Sequence, residues 1–274
     1  MSSASKLKNV ELSDGWSFVT RSKGSQRAGK KKPGAKPPTK PQHAPVNAKQ
    51  VSVLRDEILA SLKSFEELKG TSNLTLSLLR ATRETPLTTA SCLGLGPLAS
   101  GPSANRRRSI AQLAGYMWLT NNIVVSPEQN ALDSHVIDPN FSSTDEVVFD
   151  HFGMKMHLEL QHAVSGALEG SFCYSPYLPW PVLLLDYLSA GRIKPLILVC
   201  QDLTSMKDNL EMRSKQIMKG ESINVDGREC SKDDLVKAVE ACDVLLKDYR
   251  GTKFPVYEPL PFAFQDLLLY IRAG

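Results

Sequence analysis

Between Thr88 and Phe141 the chain runs an apolar block, TTASCLGLG, into the loop PLASGPSANRRR, then through SIAQLAGYMWL to HVIDPNF. A short strand, a glycine turn, a helix and a second strand in that order make a β-α-β unit, which commits the chain to a sheet with crossover helices. Gly94 and Gly96 stand where the backbone must turn tightly or approach another group, and a side chain would block either. In the helix that follows, Ile110, Leu113, Ala114, Met117 and Trp118 recur at helical spacing and predict a face packed on the sheet.

The alternation continues. Strands are expected at Thr88 to Leu95, Ser134 to Asp138, Met154 to Leu160, Gly170 to Tyr174 and Pro195 to Cys200. Helices are expected at Ser103 to Thr120, Thr144 to Phe152, Val182 to Ala190, Met206 to Met218 and Asp233 to Tyr249, before a Pro-bounded strand around Phe254 to Glu258. Such a pattern predicts an α/β, Rossmann-like, mostly parallel sheet with helices on both faces, where ligands sit beyond the carboxyl ends of the strands.

Upstream, Val51, Leu54, Ile58, Leu62 and Phe65 step at threes and fours, and Gly70 stands where a helix cap belongs, which predicts a helix over 47–70. A second helical stretch covers Leu74 to Arg83. Residues 20–46 are rich in Lys, Pro, Gly and Ser with no apolar period, the composition of a segment that buries too little surface to offset chain entropy. The expected organisation is a disordered basic tail, 1–46, carrying the motif Asp14-Gly15-Trp16-Ser17-Phe18-Val19. A folded domain, 47–274, follows, with its core beginning near residue 85.

The formal charge of +4 hides two unlike parts. Of the 33 Lys and Arg and 29 Asp and Glu, the first 50 residues hold eleven and two, which leaves 22 against 27 for the rest. The basic character therefore belongs to the tail, and the body is not expected to bind nucleic acid. Lys30-Lys31-Lys32 fits an acidic protein partner met by charge attraction, or a tail that serves solubility. With neither a secretory signal nor an apolar run long enough to cross a bilayer, a cytosolic or nuclear setting and no membrane contact are expected. Cys92, Cys173, Cys200, Cys230 and Cys242 form no CxxC pair, and the first three fall in expected strands, where they act as buried reduced thiols.

Four loops should meet at one sheet edge: Gly94 to Asn105, Asp138 to Phe141, Ser175 to Trp180 and Gln201 to Ser205. The candidate ligand-binding residues there are Gly94, Gly96, Ser100, Arg106, Asp138, Tyr177 and Asp202, with no catalytic or metal set and no cofactor named. Gly94 to Ala99 satisfies GxGxx(G/A), yet Pro97 removes a donor and Gly101-Pro102 delays the helix, so a dinucleotide site of the usual kind is not expected. The loop either takes a small anion or uses its glycines for close packing. Arg106, Arg107 and Arg108 crowd the helix start, where the dipole favours acids; an anion or carboxylate neutralises them, or water does. Asp138 is placed either to accept from a ribose or to cap a turn fixed by Pro139. Tyr177 is a pocket wall, a surface contact or part of the packed core, and Asp202 completes the pocket or caps the next helix. His135, His151, His157 and His162 lack zinc-ligand spacing.

The stretch LGLGPLASGPSANRRRSIAQLA followed by IDPNF resembles the opening of the sensitivity-to-red-light-reduced (SRR-like) family, whose fungal members include a yeast benomyl-resistance protein. DGWSFV, SFCYSPYLPW, LILVCQDL and FAFQDLLLY extend the resemblance over most of the chain. It implies a regulatory role, in circadian and light-signalling input, microtubule-related behaviour or haem-related control, and brings no catalytic residue set. Ser175-Pro176-Tyr177 departs from a Pro-His-Cys arrangement found in many relatives. An activity resting on that histidine would not carry over, because a phenol with pKa about 10 does not replace an imidazole near neutral pH. The expectation is a non-enzymatic regulatory protein; the alternative is an enzyme or sensor for a nucleotide, adenosyl-methionine or another anionic metabolite at the Rossmann edge.

Overall fold

The computed structural model describes residues 46–125, 131–159, 171–188, 194–217 and 221–273, with the backbone of 9–11 and 17–19. Residues 20–45 of the segment expected to be disordered, and the aromatic Trp16, lie outside the described residues. Asn9–Glu11 (β1) pairs antiparallel with Ser17–Val19 (β2).

The body opens with two helices, Ala48–Glu66 (α1) and Ser72–Glu84 (α2). The Asn47 side chain accepts from the Lys49 and Gln50 amides, which fixes the start of α1 where the apolar period begins. The sheet strands are Thr89–Leu93 (β3), Asp133–Ile137 (β4), Lys155–His157 (β5), Ser171–Tyr174 (β6) and Ile197–Gln201 (β7). All five run parallel, in the order β5-β4-β3-β6-β7. The chain moves outward from β3 through β4 to β5, then returns to the other side of β3 for β6 and β7. The reversal between β3 and β6 is the topological switch point at which open α/β sheets hold ligands.

Two strands absent from the sequence expectation complete the sheet beyond β7. Leu267–Arg272 (β11) lies antiparallel against β7, and Tyr249–Lys253 (β10) antiparallel against β11. The expected strand at Phe254 to Glu258 is not one. Phe254 and Tyr257 instead pack their rings near Phe264, at 5.8 and 5.6 Å between centroids. A small hairpin, Ser222–Val225 (β8) with Arg228–Ser231 (β9), was also not anticipated.

Helices Ser103–Asn121 (α3) and Ser143–His151 (α4) join α1 and α2 on one face, against Ala90, Cys92, Phe172 and Tyr174. The expected helix over Val182 to Ala190 is a π-helical turn, Pro181–Tyr187, closed by a Leu188 amide donating to the Leu183 carbonyl at 2.8 Å. With Leu203–Gln216 (α5) and Lys232–Asp248 (α6) it covers the other face over Leu93, Cys173, Leu198 and Cys200. The strict alternation of side chains along each strand thus feeds two cores. Burial in α3 is wider than one face: every residue from Ser109 to Leu119 is buried, because α1 and the aromatics Phe65, Tyr257 and Phe264 cover its outer side.

Candidate functional site

β3 stops at Leu93 because Gly94 and Gly96 follow at φ +67° and +79°, a left-handed backbone that other residues adopt at a cost. A Cβ on Gly94 would lie 2.7 Å from Leu178 Cδ1, so the turn is also packed against the exit of β6. The amides of this loop are then consumed in sequence. Gly94 donates to the Ile137 carbonyl at 3.0 Å, and Gly96 to Asp138 Oδ2 at 2.9 Å. Leu98 and Ala99 both donate to Asp145 Oδ1, at 2.9 and 2.8 Å. Pro97 has no N–H to give.

Both carboxylates are held from their far side as well. Asp138 Oδ1 accepts from the Asn140 amide at 2.8 Å, the turn role anticipated for an acid before Pro139. Asp145 Oδ2 accepts from the Ser142 amide and hydroxyl, each at 2.7 Å, in the capping box of α4. A Rossmann loop ordinarily points such amides at a pyrophosphate. Here two side-chain carboxylates, 5% and 0% exposed, take those positions.

A cleft of about 200 Å³ opens beside this loop at the switch point, bordered by Gly94, Gly96, Ser100, Asn105, Arg108, Gln112, Asp138 and Tyr177. The Arg108 guanidinium lies over the Tyr177 ring, 5.3 Å from its centroid. The Tyr177 hydroxyl faces the Phe262 and Gln265 carbonyls at 3.0 and 3.1 Å, and Gln112 Nε2 donates to the Ala263 carbonyl at 3.2 Å, so one wall is tied to the segment before β11. Burial pushes the Tyr177 phenol up to about 12 against the pull of Arg108, which removes it further from proton transfer near neutral pH. Ser109 Oγ donates to the Leu95 carbonyl at 2.7 Å and closes the floor.

Of the residues anticipated from sequence, Gly94, Gly96, Ser100, Asp138 and Tyr177 come together at this cleft. Arg106 and Asp202 do not. Arg106 Nη2 meets both Glu57 oxygens at 2.8 and 3.1 Å, a pairing between α3 and α1. α3 begins at Ser103, so the arginines fall in its second turn, past the reach of the dipole penalty expected for them. Asp202 caps α5, accepting from the Thr204 amide and the Ser205 hydroxyl, each at 3.0 Å. Its loop, the fourth expected at the edge, does not border the cleft.

Asn105, Arg108, Gln112 and Asp145 were missed among the candidate residues. Arg108 was visible in the arginine run, and Ser142-x-x-Asp145 in the capping pattern; only the fold shows that Arg108 borders the cleft and that Asp145 holds the loop after β3. Cys92, Cys173 and Cys200 are free and buried as anticipated, Cys230 and Cys242 are free and buried as well, and burial pushes the Cys173 and Cys242 thiols up to about 12. His135 and His157 meet through Nδ1 and Nε2 at 2.9 Å at the β4–β5 edge. No cluster of three or more His, Cys, Asp or Glu suited to a metal occurs among the described residues, and none of their helices is long and apolar enough to cross a membrane.

A family model described as the SRR1 domain matches residues 58–271, from within α1 to the last residues of β11. Comparison with curated proteins gives no match.

Proposed function

Because the chain belongs to the SRR1 domain family, we propose that it is a regulatory protein whose activity answers to a small anionic ligand held at the switch point of its sheet. The observation that carries this proposal is the cleft itself: Ser100, Asn105, Arg108, Gln112 and Asp138 stand on its border, and Tyr177 forms part of its wall without filling it. Arg108 supplies the cation for the anion. A volume of about 200 Å³ suits one small metabolite.

The biological setting we propose is the one the family resemblance implies, rhythm and light-signalling regulation or microtubule-related processes, in the cytoplasm or nucleus. Lys30-Lys31-Lys32 then engages an acidic protein partner, a contact that weakens steeply as salt rises. Catalysis on a nucleotide or adenosyl-methionine at the same edge is the competing assignment.

The test is a thermal-shift screen of the full chain against inorganic phosphate, nucleotides, adenosyl-methionine, haem and small carboxylates, repeated with Arg108→Gln. A ligand at about a hundred times its Kd adds ~2.7 kcal/mol. A shift that the variant loses supports the ligand site; no shift with any compound overturns it. Turnover of the bound compound would move the assignment to an enzyme.

A further inference from the structure

The cleft carries two opposite charges that do not satisfy each other. One is Arg108, half-buried over Tyr177, with no carboxylate partner among the described residues. Its neighbour Arg106, by contrast, is matched by Glu57. The start of α3, a turn before Arg108, has no side-chain cap at Pro102 and no acid in its first turn, so the dipole end is left unneutralised at the edge of the same cleft. Pro102 and Asn105 of that turn border the cleft.

The other is Asp138, 5% exposed, with no cation partner among the described residues. The Gly96 and Asn140 amides each use one lone pair of its two oxygens. A carboxylate offers about four such sites, so acceptor capacity remains toward the cleft. A buried charge is retained only where it is paired or hydrogen-bonded, and two neutral amides leave this one without a counter-charge.

A phosphate ester fits this arrangement poorly. The amides that would cradle it, those of Gly96, Leu98 and Ala99, already donate to Asp138 and Asp145, and a phosphate dianion beside those carboxylates is repelled. The complement of a cleft this small, with one cation and one carboxylate on its border, is a small molecule with an anionic end and a cationic end.

We propose that the cleft binds a free α-amino acid or a zwitterion of similar size, its carboxylate on the Arg108 guanidinium and its ammonium on the Asp138 carboxylate. This assignment rests on the cleft being the ligand site, and it replaces "anion" by a molecule with two charges of fixed order. Arg108 supplies the planar fork that carboxylates prefer. Asp138 supplies the discrimination, since an acid lacking the amine leaves its remaining lone pairs unmatched.

The test uses the full chain. Thermal shift and titration calorimetry are run with each standard L-amino acid, then with the deaminated acid and the decarboxylated amine of the tightest binder, and with inorganic phosphate and ATP. The expected result is binding by at least one amino acid, with each single-charge analogue weaker by tenfold or more. Arg108→Gln should weaken the amino acid at least tenfold, while Arg107→Gln, on the exposed neighbour, should leave it unchanged. Asp138→Asn should lower the preference for the amino acid over its deaminated acid. Asp138 also anchors Gly96, so the analogue series on the unaltered protein decides if that variant fails to fold. A deaminated acid that binds as tightly as the amino acid overturns the proposal. So does a response to phosphate or ATP alone that Arg108→Gln abolishes, which leaves the anion site standing. No response to any compound, including those of the wider screen, overturns both.

Discussion

Replacing Asp145 by Ala should be among the most damaging single changes in this protein, although the residue lies outside the cleft border. Its carboxylate is 0% exposed and accepts from three backbone amides and one hydroxyl: those of Leu98, Ala99 and Ser142, and Ser142 Oγ. Alanine leaves all four donors without that acceptor. Leu98 is fully buried, so its amide carries the whole penalty of an unmatched buried donor, ~1–3 kcal/mol. Ala99 and Ser142 are half-buried and regain some hydration, which brings each nearer the net value of one hydrogen bond, ~1 kcal/mol. Loss of the α4 capping box overlaps with the Ser142 contribution and adds little beyond it. The expected destabilisation is about 3–5 kcal/mol. At roughly 2–4 °C per kcal/mol for a body of this size, Tm should fall by about 6–20 °C. Asp145→Asn keeps an oxygen for Leu98 and Ala99 but turns an amide donor toward Ser142, and should lose about half as much. Urea unfolding followed by circular dichroism, with calorimetry for Tm, measures both. An Asp145→Ala variant within about 1 kcal/mol of wild type would refute the claim that this carboxylate holds the loop after β3.

Three further outcomes are expected. Gly96→Val places a β-branched residue at φ +79° with Ser109 Oγ 3.2 Å from the new Cβ, and should cost at least ~1–2 kcal/mol in denaturant unfolding; wild-type stability would remove the case for a tight turn. For Tyr177 the folded pKa of about 12 exceeds the unfolded value of about 10, so its contribution is intact below pH ~10 and falls as pH climbs to ~12. Tyr177→Phe should therefore show a shallower loss of urea midpoint across that window, and an identical slope would contradict the burial of the phenol. The five buried thiols, with burial raising each, should react negligibly with a thiol reagent in the native chain and fully in denaturant; rapid native labelling of any one would expose an error in its packing.

What could be read from the sequence was whatever depends on neighbours in the chain. The parallel strands and crossover helices follow from apolar runs and 3.6-residue spacing, and β3 through β7 fall within a few residues of expectation. β11 was missed because Leu267 to Ile271 is apolar without alternation, a pattern shared by buried strands and buried helices. Phe254 to Glu258 looked like a strand on aromatic content, but its rings serve the α1–α3 side of the core. Charged candidates were harder still. Glu57 lies 49 positions from Arg106, and Asp145 lies 47 from Leu98; spacing alone does not choose among the acids that could meet a given donor.

The loop after β3 shows why a glycine motif and a ligand site are separate inferences. GxGxx(G/A) states what backbone shape is allowed, and the shape is present: both glycines are left-handed and the loop lies at the switch point. What the amides bind is decided elsewhere, by whether another part of the chain offers an acceptor. Here Asp138, from the end of β4, and Asp145, from the start of α4, both offer one, so the usual cradle is filled from within. The loop thereby becomes a rigid joint between β3, β4 and α4 rather than an anion receptor. The recognition proposed at this edge would therefore rest on side chains around it, and Arg108 and Asp138 are the two on the cleft border with charge to offer. In that proposal their opposite signs make selectivity a matter of the ligand's own charge pattern, which argues against a dinucleotide and for a small zwitterion.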